Sequence, residues 1–375
     1  MQITTKVTSR YPAITPSPTL ETRFKQWLLP LLRLSVFVRV EARSSYKLPI
    51  AKRLRAWRNG FLSRSYLLYD LDRNEPGSYF PDIACLSYTI SDPHYSALSN
   101  KLHFSSLMQL HGVPHPRVLG FLHRGCLHEV DSSPAKRAHL EHTLQSLVQD
   151  HGRLVVKPCA SGHGIGMMFV NRDDGNLALN DASIEMHELV ELVDGLDHYY
   201  VSEFIEQGDY ARNIFPGSPN TLRVLTVWDV DTSEPFVAAV AQRIGTSRSI
   251  PVDNFHQGRG GISVHVDPES GRMGKGTTLD ETGRKLWYSD HPETGAPIEG
   301  AHVPHWQRTR QRLLDVAARF PQVPFIGWDV IVTNSGFSVL EANCPPGVAV
   351  CQAHGPLLAD ERCRRFFEYM GLIKT

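Results

Sequence analysis

Apolar positions follow two rhythms along this chain. In the first half they mostly recur every three or four residues, the spacing of one helix face. Leu140, Leu144, Leu147 and Val148 keep that spacing, and similar patterns run over 23–40 and 50–70. A short helix over 101–110 is ended by Gly112 and Pro114. Between these, 118–121 reads as a strand and 79–91 as irregular chain. From Leu154 the apolar runs shorten and fill with β-branched and aromatic residues, so 154–159, 167–170, 199–205, 222–228, 236–244 and 262–266 read as strands. Asp267-Pro268-Glu269-Ser270-Gly271 is a turn. Helices are expected over 184–196, with Val190 and Val193 on a shared face, and over 305–320, with Pro304 near its start and Pro321 just beyond. Hairpin-linked strands mixed with helices, without regular βαβ alternation, predict an α+β fold.

The last strand pair carries the clearest chemistry. Gly327-Trp328-Asp329-Val330 is followed, twelve residues after its aspartate, by Glu341-Ala342-Asn343. Between them Asn334-Ser335-Gly336 has the composition of a three-residue hairpin loop with a left-handed last residue. If Thr333 and Phe337 flank that loop, Asp329 falls opposite Glu341. Side-chain alternation then puts Asn343 on the same face as Glu341. Two carboxylates and a carboxamide on a rigid sheet suit a hard cation such as Mg²⁺. A surface hairpin with exposed acids would share this pattern.

A chain of 375 residues is long enough for two or three domains. Its formal net charge is zero but unevenly spread. Residues 1–60 hold 12 Lys/Arg and 2 Asp/Glu, a balance of +10, which leaves −10 for the rest. A basic arm on an acidic body points to an anionic surface or partner, or to a solvated helical face. Residues 1–22 mix Thr, Ser and Pro and read as a flexible tail. The apolar stretch 27–40 is broken by Pro30, Arg33 and Arg39, and falls short of the roughly 18 residues a spanning helix needs. It fits a helix docked on its own protein or a peripheral membrane contact. Six cysteines without a CxxC pair, and an N-terminus without a signal-peptide pattern, point to a cytoplasmic location.

Lys157 opens Lys157-Pro158-Cys159-Ala160-Ser161-Gly162-His163-Gly164-Ile165-Gly166. Around Ser161, Gly162 and Gly164 the backbone N–H groups can approach an anion closely. A strand follows this loop, which excludes the P-loop and the dinucleotide fingerprint, since both need a helix start there. The strand end at Glu203, Phe204 and Ile205 suits an adenine edge. Arg223 and Arg243, on adjacent strands, offer forks for carboxylate or phosphate. Asp253-Asn254 and Gly258-Arg259-Gly260-Gly261 mark a loop able to close on a ligand. No GxSxG elbow occurs, His187-Glu188 lacks the second histidine of a metalloprotease, and Cys344 reads as a buried, inert thiol.

Taken in order, these pieces resemble an ATP-grasp enzyme of the sugar-transfer-associated family, related to α-L-glutamate ligases. The resemblance runs from about Lys52 to Leu358. It rests on Leu54-Arg55-Ala56-Trp57, Asn100-Lys101-Leu102-His103-Phe104, Val156-Lys157-Pro158, Asn220-Thr221-Leu222-Arg223-Val224, Val252-Asp253-Asn254, Gly260-Gly261-Ile262, His291-Pro292-Glu293-Thr294-Gly295, Ile326-Gly327-Trp328-Asp329-Val330 and Glu341-Ala342-Asn343. It implies two α+β lobes, 99–200 and 201–375, clamping ATP, preceded by a basic helical region over 23–98. Lys101 and Lys157 match the two lysines that hold the nucleotide, and Glu203 to Ile205 the adenine-binding hinge. Arg243 matches a position facing the γ-phosphate, and Glu206 and Asp209 are ribose candidates. Asp329, Glu341 and Asn343 match the ligands of two Mg²⁺ ions, with Glu341 bridging. Ala342 stands where glycine is common, and Cys344-Pro345-Pro346 follows the asparagine. The implied reaction is ATP-dependent joining of a small-molecule carboxylate to an amine through an acyl phosphate, with no nucleic acid involved and with a saccharide as one possible substrate. A kinase acting on a hydroxyl and a non-catalytic ATP-binding module are the alternatives.

Overall fold

The computed structural model describes residues 34–374 apart from 45, 47, 92–97, 125, 131–139, 160–165, 174 and 256–259. The glycine-loop residues Ser161, Gly162 and Gly164, the expected tail and the first half of the apolar stretch 27–40 lie outside the described residues.

Two seven-stranded sheets carry the fold. The first joins β1 (Val118–His123), β2 (Cys126–Glu129), β3 (Arg153–Pro158), β4 (Met168–Asp173), β5 (Asn176–Leu179), β6 (Ala182–Ser183) and β7 (Tyr199–Glu203) in the order β2-β1-β7-β3-β4-β5-β6. The second joins β8 (Leu222–Trp228), β9 (Pro235–Ile244), β10 (Ile262–Val266), β11 (Met273–Leu279), β12 (Lys285–Tyr288), β13 (Phe325–Val332) and β14 (Phe337–Asn343) in the order β12-β11-β10-β9-β8-β13-β14. All pairings between these strands are antiparallel. With the helices this is the expected α+β architecture.

The helices are α1 (Ile50–Arg58), α2 (Ser63–Leu68), α3 (Asp82–Ser91), α4 (Lys101–Leu110), α5 (Leu140–His151), α6 (Met186–Asp194), α7 (Trp306–Ala317) and α8 (Glu361–Tyr369). Leu140, Leu144, Leu147 and Val148 of α5 and Leu189 and Val193 of α6 form one core with Leu154, Val156 and Val201 of the first sheet. The second sheet is covered on both faces. Phe104 and Met108 of α4 and Leu313 and Val316 of α7 pack on one side with Val224, Ile326 and Trp328. On the other, Phe61, Tyr66, Tyr69 and Phe80 meet Leu225, Val227, Phe325, Phe366 and Phe367. Gln352 ties this contact, accepting from the Phe80 N–H at 2.8 Å and donating to its carbonyl at 3.0 Å. The chain from Tyr46 to Ala84 is therefore part of the second sheet's core.

Three expectations are corrected. Helix α3 replaces the irregular segment expected at 79–91. Asp82 in its first turn accepts from the Leu62 N–H and Ser65 Oγ, so tertiary bonds to the start of α2 anchor a helix that the local pattern hides. The hairpin β11–β12 was not expected, because Gly274 and Gly276 interrupt its apolar alternation. The last hairpin has a four-residue loop: Val332 pairs with Phe337, and Gly336 is not left-handed, its N–H donating to Thr333 Oγ1 instead.

Candidate functional site

The shifted turn still delivers the expected pairing, because a bulge compensates for it. Val330 pairs with Val339, yet Asp329 pairs with Glu341, leaving Leu340 as an extra residue. As a result Leu340 and Glu341, neighbours in sequence, both line one cavity of about 430 Å³. Each residue of Gly327-Trp328-Asp329 has its own reason. A side-chain carbon on Gly327 would sit 2.5 Å from Pro346 and 3.3 Å from Arg223 Cδ, so only glycine leaves that arginine its path. Trp328 is fully buried on the opposite face and donates from Nε1 to Thr226 Oγ1 at 2.9 Å, fixing the strand's height. Asp329 then faces the cavity.

The registers place Glu341, Asp329 and Arg223 in one transverse row across β14, β13 and β8. Arg223 holds Asp329 bidentately, Nε to Oδ1 at 2.6 Å and Nη2 to Oδ2 at 3.2 Å, and its Nη1 reaches the Gly347 carbonyl at 3.2 Å. Arg243 follows Gln242, the partner of Leu222 on β8, and gives Nη2 to Asp329 Oδ2 at 3.0 Å and Nε to Thr221 Oγ1 at 2.9 Å. Behind it Asp253 accepts from the Thr221 N–H at 2.7 Å and hydroxyl at 2.6 Å, and lies 3.5 Å from Arg243 Nε. Burial alone would raise the Asp329 carboxyl, but Arg223 and Arg243 outweigh it and hold it down to about 2. Burial dominates at Asp253 and raises its carboxyl despite Arg243.

Two lysines complete the wall. Asn100 caps α4, its Oδ1 accepting from the Leu102 and His103 N–H groups, so that Lys101 enters the cavity at the helix start. Lys101 Nζ lies 3.4 Å from Glu341 Oε2. Lys157, at the end of β3, has its Nζ 5.2 Å from the Tyr200 ring centroid. Burial pushes the Lys157 ammonium down to about 8; Glu341 opposes the shift and Lys101 adds to it. Four cations (Lys101, Lys157, Arg223, Arg243) thus gather with three carboxylates (Asp253, Asp329, Glu341) on the lining. The fourth lining carboxylate, Glu203, is held by Arg117 Nε at 3.1 Å.

The remaining wall is apolar. Val155, Met167 and Phe169, with Phe204 and Ile205, line the cavity together with Ile331 and Leu340 of β13 and β14. A flat ring fits between such walls, with charge gathered at one end. Asp329, Glu341 and Asn343 supply only oxygen-type donors to a cation, the set that suits Mg²⁺. They differ in availability. Both Asp329 oxygens already accept from arginine, whereas the Glu341 oxygens make long contacts, to Lys101 at 3.4 Å and to Asn343 Nδ2 at 3.3 Å.

The structure therefore brings together Lys101, Lys157, Glu203, Phe204, Ile205, Arg223, Arg243, Asp329, Glu341 and Asn343. Asp209 and Glu206 are not on this cavity: Asp209 pairs with Arg212 and accepts from Asn334 Nδ2 at 3.0 Å, and Glu206 pairs with Arg153. Sequence reasoning left out Thr221 and Asp253 as supports of Arg243, although the Val252-Asp253-Asn254 motif marked the place. Cys344 is buried, as expected. His291, quoted in a motif, is also buried, stacked on Phe215 with Nε2 2.9 Å from the Gly245 carbonyl, and serves the core. A separate group joins His123, at the end of β1, to Asp197 and His198 in the turn between α6 and β7, where Asp197 accepts from the backbone N–H groups of Arg124 and His198.

Residues 89–363 match the family described as sugar-transfer associated ATP-grasp. No curated protein matches the chain. Among solved structures, the ATP-grasp ligase PsnB complexed with minimal precursor is 12% identical with a TM-score of 0.38, over 75% of this chain and 63% of that one. D-alanyl-alanine synthetase A from Vibrio cholerae is 12% identical with a TM-score of 0.42, over 73% and 66%. VanG D-Ala:D-Ser ligase from Enterococcus faecalis is 13% identical with a TM-score of 0.38, over 76% and 64%. The chain thus spans somewhat less than two thirds of the length of the first of these. At such scores the likeness says nothing of what this chain acts on. Among the described residues no helix is long and apolar enough to cross a membrane.

Proposed function

Because the chain belongs to the sugar-transfer associated ATP-grasp family, we propose that it is an ATP-dependent carboxylate–amine ligase working in the assembly of a sugar conjugate. The observation that carries this reading is the cavity with an apolar slot at one end and, at the other, four cations beside Glu341, Asp329 and Asn343. In this reading the adenine lies between Phe169 and Leu340 and meets the strand end at Glu203 to Ile205. Lys101 and Lys157 hold phosphate oxygens. Glu341, Asn343 and Asp329 would hold Mg²⁺, and Asp329 also keeps Arg223 and Arg243 aimed. Bound Mg²⁺ would neutralise charge on the transferred phosphoryl group. Arg243, fixed by Thr221, Asp253 and Asp329, orients that group, and Arg223 orients the carboxylate that receives it. The carboxylate oxygen attacks the γ-phosphorus, ADP leaves, and an amine displaces phosphate from the acyl phosphate. No protein nucleophile is needed, and preset donors do the work.

Hydroxylamine trapping tests the reaction class. With ATP, Mg²⁺ and a panel of amino acids and uronic acids, the true carboxylate is expected to give a hydroxamate with ADP and phosphate. A stable phosphate ester without free phosphate would establish a kinase instead, and AMP with pyrophosphate would exclude the acyl phosphate.

The Lys157 ammonium gives a second expectation. With its pKa at about 8 in the empty site, a bound phosphate chain should draw it back towards the ordinary lysine range. Nucleotide binding then takes up a proton above that pH. Affinity should be flat below about pH 8 and fall by up to about tenfold per unit above it. Calorimetry in two buffers of different ionisation enthalpy measures the uptake. Lys157→Met should bind weakly and lose the dependence, and a flat profile through the alkaline range in the wild type would sink the assignment.

A further inference from the structure

Helix α1 sits on the protein the wrong way round. Ile50, Leu54 and Trp57 are spaced to share one face, and they are 76%, 58% and 39% exposed. The face turned inward buries only Ala56. On the helical wheel Arg53 and Arg58 border the apolar strip on either side. The helix carries Lys52, Arg53, Arg55 and Arg58 and no acidic residue. Two of these cations face an acid: Lys52 pairs with Asp72 at 2.6 Å, and Arg53 Nε lies 3.8 Å from buried Glu41, whose carboxylate also holds the Ser63 N–H and hydroxyl. The helical segment over 34–42 also exposes Leu34 and Val38. An ordinary surface helix would point these residues at the core.

We propose that this face of α1 docks on an anionic lipid bilayer, with Ile50, Leu54 and Trp57 entering the interface and the flanking arginines meeting headgroup phosphates. An apolar strip framed by arginine is the pattern of a helix lying in the plane of a membrane surface. Charge complementarity selects a bilayer over an apolar protein partner, since residues 1–60 together carry 12 Lys/Arg against 2 Asp/Glu. The helix is seated on the core that closes over the second sheet, so docking would hold the whole enzyme at the surface.

Flotation of the full chain with vesicles tests this. Vesicles of phosphatidylcholine with phosphatidylglycerol as a minor component should carry the wild-type protein, and vesicles of phosphatidylcholine alone should not. The double variant Leu54→Gln/Trp57→Gln should lose binding by about tenfold or more, with an unchanged melting temperature, because both side chains are exposed. Arg58→Gln should weaken binding less and flatten its salt dependence. No flotation of the wild type would overturn the proposal. So would full binding by the double variant, which would move the contact to another part of the chain. A double variant that instead changes the oligomeric state would assign the face to a second copy of the protein.

Discussion

Glu341→Gln is expected to leave the protein folded and to abolish turnover. The side chain is about 30% exposed and its contacts are long, 3.4 Å to Lys101 and 3.3 Å to Asn343, so its loss should change stability by under about 1 kcal/mol. Its charge, however, is the one most open to a cation in the cavity, and it also steadies Lys157 in its charged form. Removing it leaves Lys101 and Lys157 facing each other without their shared counter-charge. Turnover should fall by about a thousandfold or more at saturating Mg²⁺, roughly 4 kcal/mol of barrier. Rates near wild type under those conditions would exclude Glu341 as a metal ligand.

Asp329→Asn should behave differently, although the two residues are paired across β13 and β14. Asp329 is 3% exposed, and both of its oxygens receive guanidinium bonds. Removing the charge leaves Arg223 buried with only the Gly347 carbonyl as a strong acceptor, while Arg243 keeps Asp253 and Thr221. A buried ion stripped of its partner costs about 3 kcal/mol. This variant should therefore unfold at clearly lower denaturant as well as lose activity. The wild type should show the same pair in acid. A carboxyl held at about 2 against 3.8 unfolded contributes stability that is complete above the unfolded value. That contribution, about 2 kcal/mol, fades as pH falls through the folded value. Equal stability of Asp329→Asn and wild type at neutral pH would show that the arginines do not depend on it.

Much of this site could be read from residue order because its chemistry is written in short local units. An asparagine before Lys101 gives a cap and a lysine at a helix start. Asn-Ser-Gly between two apolar runs gives a hairpin. Arginines on consecutive strands give neighbours. What escaped depends on partners far along the chain. Helix α3 is set by Asp82 reaching Leu62 and Ser65, and the packing of 46–84 on the second sheet depends on Phe325 and Phe367. That Glu206 and Asp209 lie off the cavity could not be read from the sequence, because Arg153 and Asn334, their partners, are distant along the chain. The pairing of Asp329 with Glu341 was expected from a loop that the chain does not form.

That last coincidence has a consequence for how this hairpin can vary. The extra residue at Leu340 puts the two ends of the hairpin out of phase. In the half near the loop, Val330, Val332, Phe337 and Val339 answer to the hydrophobic interior, while Ile331 lines the cleft. The half near Gly327 and Asn343 answers to the cleft. The loop at 333–336 is itself held at Asn334, which accepts from the Asp209 N–H at 2.8 Å and donates to its carboxylate at 3.0 Å, so changes in the loop are felt there and not at the carboxylates beyond the bulge. Leu340 itself is the joint between the two halves: deleting it would join Val330–Val339 and Asp329–Glu341 into one continuous ladder that keeps Glu341 opposite Asp329, and would take only the leucine from the cleft wall.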